Sequence, residues 1–253
     1  MQGWTERVPL HHLPDRPQFA QLREPVGEDE LSLQGIDTRA AVAFLDSLCR
    51  SSTQPVAALS AADRDGILAA LYRALWGDRV ASTLDCEACG AAYDLSFELS
   101  TLQRQLAQKA AGTIVAGPRI VADETGRQYR LPSADEEQEA AVLGVAEGCE
   151  RLRQSVGAAE DIATLSDRLD TLAPLIDVEL DVRCAECGHA ALARFDIQSF
   201  ALQRLLDERE SVLDEVHTLA RGYGWSLRDV LSLPRSLRRS LVQRFAPVPA
   251  ATG

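Results

Sequence analysis

Asp85-Cys86-Glu87-Ala88-Cys89-Gly90 and Arg183-Cys184-Ala185-Glu186-Cys187-Gly188 are the two stretches on which the reading of this chain turns. Each is a Cys-x-x-Cys-Gly knuckle, and together they hold four of the six cysteines. A Cys-x-x-Cys pair on a tight turn aims two sulfurs at one point, and the following Gly tolerates the left-handed backbone such a turn needs. Two such turns face to face complete a tetrahedral four-thiolate site, so Cys86, Cys89, Cys184 and Cys187 are the expected metal ligands. The flanks agree: Val80 to Leu84 and Tyr93 to Leu99 read as extended around the first knuckle, and Ile176 to Val182 and Ala190 to Ile197 around the second. Each knuckle is then the tip of a hairpin. Structural zinc is the expected ion, with iron in a rubredoxin-like site as the alternative. His189 follows the second knuckle and is surplus to a four-thiolate set.

Other uses of these cysteines fit less well. Two disulfides call for an oxidising compartment, whereas the opening MQGWTERVPLHHLPDRP carries no apolar signal-peptide core. A redox Cys-x-x-Cys opens a helix after a strand, and its duplication is unusual. No apolar run approaches the length of a membrane span, so a cytoplasmic protein is expected. Cys49 and Cys149 lie among apolar helical residues and read as buried, reduced thiols. At 253 residues the chain can bury a substantial core, and aromatic content of only 5% points to helices packed through aliphatic side chains. The net charge of −12 disfavours binding of phosphate backbones by the molecule as a whole.

In chain order, residues 1–20 carry Pro14, Pro17 and the pair His11-His12, and read as an irregular arm. Residues 21–33 suggest an extended segment and a turn. Asp37 or Thr38 caps a helix to about Cys49, and Ser60 caps another that ends near Trp76-Gly77 and enters the first knuckle. Between the knuckles lie 94 residues, too many for a simple ribbon. They predict a helix over 101–111, a hairpin turning at Asp123-Glu124-Thr125-Gly126, an acidic helix with Ser133 and Glu136 as capping box, and a helix over about 158–172. The expected class is therefore α+β: mainly helical, with short hairpins forming a split zinc ribbon over 21–199 and residues 101–174 inserted between its halves. A C-terminal helical docking unit follows over 200–246, and 247–253 form a tail.

The docking unit begins with an amphipathic helix from Phe200 to Arg221, breaks at Gly222-Tyr223-Gly224-Trp225-Ser226, and ends in two short helices around Pro234. From Arg221 to Phe245 there are six arginines against one acid, a net +5, so the rest of the chain carries −17. Such polarity suggests a docking surface, with Tyr223, Trp225, Arg235, Arg238 and Arg239 as candidate partner-binding residues. Trp225 reads either as an anchor or, preferentially, as packing for the short helix. Three short helices with a basic last one also suggest a helix-turn-helix, the basis of an alternative reading as a zinc-ribbon nucleic-acid-binding regulator.

Four further stretches are informative together: Leu22-Arg23-Glu24 leading to Gly27-Glu28-Asp29-Glu30; Ala70-Leu71-Tyr72-Arg73-Ala74-Leu75-Trp76-Gly77-Asp78-Arg79; Tyr129-Arg130-Leu131-Pro132-Ser133-Ala134-Asp135; and Glu215-Val216-His217-Thr218-Leu219-Ala220 with Tyr223-Gly224-Trp225-Ser226, Val230-Leu231-Ser232-Leu233-Pro234 and Arg238-Arg239. Their order resembles the baseplate hub assembly chaperones of T-even-type phages and their relatives in contractile injection systems, over nearly the whole chain. The resemblance implies a non-enzymatic role in building, or remaining within, the hub and spike region of a contractile tail baseplate. Hub or spike proteins are then the partners, and the location is the cytoplasm or the phage-tail-like particle. It supplies no residue-level mechanism, and the metal assignment stands on the cysteine spacing alone. A zinc enzyme would need an open coordination position, which four cysteines close.

Overall fold

The computed structural model describes residues 3–13, 18–50, 54–157 and 160–245. At the N-terminus, β1 (Thr5–Leu10) and β2 (Gln18–Arg23) pair antiparallel, and β3 (Cys49–Arg50) extends the sheet on the far side of β2. The arm expected to be irregular over residues 1–20 thus carries β1 and the start of β2. Val8 and Leu10 alternate with exposed Arg7 and Pro9, and bury with Ala20 and Leu22 in the main core. Pro9 is tolerated because β1 is an edge strand, where a missing N–H breaks no inner ladder. Pro14 and Pro17 lie outside the described residues.

The turn expected after β2 is a six-residue helix, α1 (Gly27–Ser32), whose start is held by Asp29. Its carboxylate accepts from the Val26 N–H at 2.8 Å and pairs with Arg23 at 2.7 Å. α2 (Thr38–Leu48) is capped by Asp37, and α3 (Ala61–Trp76) by Ser60. α3 is the central helix: Ile67, Leu68, Leu71 and Tyr72 are all fully buried. Cys49 is half-buried rather than enclosed, and Cys149 is exposed, so only the first is near the state the sequence suggested.

Beyond α3 come β4 (Arg79–Asp85), the first knuckle, β5 (Ala92–Glu98) and α4 (Leu99–Lys109). The insertion follows. It holds a three-stranded antiparallel sheet of β6 (Ile114–Gly117), β7 (Ile120–Ala122) and β8 (Gln128–Arg130), then α5 (Ala134–Val142), α6 (Val145–Val156) and α7 (Ile162–Leu172). These elements close over a small core of their own, built on Val121, Tyr129, Leu131, Val156 and Leu165. The chain returns through β9 (Asp177–Arg183), the second knuckle, β10 (Ala190–Asp196) and α8 (Ile197–Asp207).

The two knuckle units are copies. Every element of the first recurs in the second 98 residues later: strand of seven residues, knuckle, strand of seven, helix of eleven. Within the strands Val80 and Phe97 face one another in register, as do Val178 and Phe195. The closing hydrogen bonds repeat too, Leu99 N–H to Asp78 C=O at 2.9 Å and Ile197 N–H to Ile176 C=O at 2.9 Å. Because α4 and α8 belong to the copies and pack into the main core through Leu99, Leu102, Ile197 and Leu202, the boundaries expected at 101 and 200 each fall inside a helix.

The long helix expected from Phe200 to Arg221 is two helices, α8 and α9 (Arg209–Tyr223), meeting at Glu208. α10 (Leu227–Leu231), capped by Ser226 and Asp229, and α11 (Arg235–Gln243) pack on α9 around Val216, Leu219 and Val230.

Candidate metal centre

Each knuckle is closed by the same two hydrogen bonds. Cys86 N–H donates to the Ala91 carbonyl at 2.9 Å and Gly90 N–H to the Cys86 carbonyl at 2.8 Å. In the second copy Cys184 N–H reaches the His189 carbonyl at 2.9 Å and Gly188 N–H the Cys184 carbonyl at 3.0 Å. Gly90 and Gly188 both have φ of 72°, the left-handed region that a side chain would strain.

The two tips meet. Cys86 Sγ lies 3.6 Å from Cys187 Sγ and Cys89 Sγ lies 3.8 Å from Cys184 Sγ. These two contacts are equivalent under the 98-residue repeat, so the copies approach with approximate two-fold symmetry. All four sulfurs lie within 4.8 Å of one another. A disulfide would require about 2.05 Å. A regular tetrahedron with metal–sulfur bonds of about 2.3 Å has edges of about 3.8 Å, the spacing of the two closest pairs. At the base of the hairpins Phe97 and Phe195 pack edge to face at 4.9 Å between centroids, a contact between equivalent positions of the two copies.

The sulfurs differ in setting. Cys86 and Cys184 are buried, while Cys89 and Cys187 face solvent. Backbone N–H groups of Cys89 first and then Ala88 pull the Cys86 thiol down to about 6, against the effect of burial. Cys89 receives an N–H bond from Ala91, but the neighbouring Cys187 sulfur and desolvation prevail and push it up to about 12. Four thiols crowded together thus favour one thiolate and resist the next, which is the situation a bound cation relieves. The His189 ring is outside this group.

The bases of the hairpins are fixed from α3. Asp65 Oδ2 accepts the Ile176 N–H at 2.9 Å and so anchors the entry to the second copy. Burial, aided by the Asp196 carboxylate, pushes Asp65 up to about 7, although the Ile176 N–H and Arg64 act the other way. Trp76, at the end of α3, donates to Glu208 at 2.8 Å.

Glu208 in turn pairs with Arg235, and with Arg239 at 2.9 Å. Arg238 is 0% exposed and lies between Glu30 and Glu215, the latter at 2.5 Å; Arg235 also pairs with Glu30. Three of the five candidate partner-binding residues are therefore placed differently from expectation. Arg235 and Arg238 are internal, and Arg239 is half-buried on Glu208 and Glu215. Of their partners, Glu30 and Glu215 stand in the stretches quoted above but without this role, and Glu208 was not singled out from sequence. The remaining two stay at the surface: Trp225 is 38% exposed and stacks on Tyr223 at 4.7 Å, with Phe245 edge-on to Tyr223 at 4.9 Å. Trp225 thus stacks at the surface, where the sequence favoured packing.

Comparison of the chain with protein-family models, with curated proteins and with solved structures finds no match. No helix among the described residues is long and apolar enough to cross a membrane.

Proposed function

We propose that the protein is a non-enzymatic assembly or structural component in which paired hairpins, a split zinc ribbon, hold one structural zinc ion, and that it acts in building the hub and spike region of a contractile tail baseplate. The observation that carries the zinc part is the four-sulfur cluster, a donor set matching tetrahedral zinc with no position left for substrate. The baseplate part rests on the sequence resemblance alone. The ion's role is mechanical: it clamps the two copies and so sets the place of the insertion between them.

Docking falls to the C-terminal face. Tyr223, Trp225 and Phe245 form an exposed aromatic cluster, and Leu227, Arg221, Arg228 and Arg244 are exposed on the same unit. Exposed aromatic anchors and exposed arginines on one helical unit suit an acidic protein surface. The inward use of Arg235 and Arg238 leaves too short a basic stripe to favour nucleic acid against an acidic remainder.

The test is affinity purification from cells assembling the particle. Hub or spike proteins co-purify with the wild-type chain, and are lost with Trp225→Ala combined with Arg228→Glu while Tm stays within about 2 °C. Normal particles from a deletion strain would contradict the assembly role.

A further inference from the structure

A cavity of about 580 Å³ lies between α3, α4, the end of β1 and the insertion, a volume typical of small-molecule sites at roughly 300–1,000 Å³. Its floor is apolar, formed by Val8, Leu106, Val115, Leu172 and Ile176. Gly66 keeps it open: a Cβ built there meets no atom within 4 Å, although glycine is a poor residue for a helix interior.

The rim is polar and cationic, with Arg73, Arg104, Ser100, Gln103 and Thr113. Asp63 is the one carboxylate lining it, and its oxygens are already occupied. They accept from the His11 N–H at 2.7 Å, the His12 N–H at 3.3 Å and the Ser60 hydroxyl at 3.2 Å, with the His12 ring 3.3 Å away. Asp78, near enough to Arg73 to feel its charge, is held by the Ser100 N–H at 2.9 Å and hydroxyl at 2.5 Å. Arg73 Nε, by contrast, is buried with no hydrogen-bond partner among the described residues. That Nε is enclosed below the cavity wall, whereas the guanidinium as a whole lines the cavity, and its planar fork fits a planar carboxylate.

We propose that this cavity binds a small amphipathic carboxylate, its head on Arg73 with Arg104 at the rim and its hydrocarbon tail on Val8, Leu106 and Leu172. Among the lining residues two arginines stand against the single, internally hydrogen-bonded carboxylate of Asp63, a small positive excess in a chain of net charge −12 that such a ligand would use. The site is separate from the four-sulfur centre and from the aromatic face.

Calorimetric titration of the full chain with octanoate, octanamide and octylammonium tests this. Octanoate should bind and raise Tm, octanamide should bind about tenfold or more weaker, and octylammonium weaker still. Arg73→Gln should weaken octanoate about tenfold. Gly66→Leu should project into the cavity and weaken octanoate binding about tenfold or more without lowering Tm. Absence of octanoate binding at millimolar concentration, equal binding of octylammonium, or undiminished octanoate affinity in a folded Gly66→Leu protein would overturn the proposal. If Gly66→Leu does not fold, the head-group series and Arg73→Gln decide alone.

Discussion

Arg238 shows how far a residue's role can depend on partners distant in sequence. It lies 208 residues from Glu30, yet the two form a buried pair that fastens α11 to α1. Its exposed setting was expected because a run of arginines on a short amphipathic helix reads as surface. Nothing local signals carboxylates arriving from the N-terminal segment and from α9. Gly27 is shaped by the same contact: a Cβ there would sit 3.0 Å from Arg238 Nη1 and 2.9 Å from Leu231 Cδ2. Replacing Arg238 removes one of the two cations held by each of Glu30 and Glu215 and leaves only Arg235 and Arg239 to balance them, so Arg238→Met should destabilise by about 3 kcal/mol, while Arg244→Met at the exposed end of α11 should change little; urea unfolding separates them. The meeting of Cys89 with the other three sulfurs was legible, since the knuckle spacing is local and the geometry it demands is short-range. Cys89→Ser should lower metal content and Tm together, read by metal analysis and thermal melting on one sample, whereas Cys149→Ser should alter neither.

At the scale of elements, side-chain caps mark several helix starts, while α4 and α11 lack one and are readable from their periodicity instead. Asp37, Ser60, Ser133 and Ser226 each cap the helix the sequence places after them. α6 begins at Gly144 with no side-chain cap, and its exposed Val145 disguises the pattern. The duplication of hairpin and helix was readable in principle from the constant 98-residue spacing of both knuckles and of Phe97 with Phe195. Exposed strand positions vary freely between the copies and hide it. Asp65, the α3 carboxylate that anchors the second copy, gives a pH signature. Its unfolded-state value is near 4 and its folded value about 7, so the native state holds a proton that the unfolded chain releases. Stability at this site therefore falls as pH rises from about 4 to about 7. Asp65→Asn keeps an acceptor for Ile176 N–H and removes that slope; the variant should be more stable than wild type by a few kcal/mol at about pH 8, with the gap closing towards about pH 4. Denaturant titrations at the two pH values check the sign.

Among the described residues one main core and two small ones are fastened by the buried ion-pair cluster around Glu30, Glu208 and Glu215, and, in the proposed function, by the four-sulfur centre at the hairpin tips. Glu208 sits where α8 meets α9, so the helix leaving the second hairpin leads directly to the cluster that holds α11. Removing the metal should loosen the hairpins and the seating of the insertion before it disturbs the C-terminal unit. Hydrogen exchange after chelation should show protection lost first over β4, β5, β9 and β10. The claim on which the rest depends is that one ion joins the two copies. X-ray absorption at the metal edge, on protein purified with its bound metal, tests it most directly: the account predicts one zinc per chain with four sulfur neighbours at about 2.3 Å, and a metal-free protein of unchanged Tm, or a zinc shell containing nitrogen or oxygen, would contradict it.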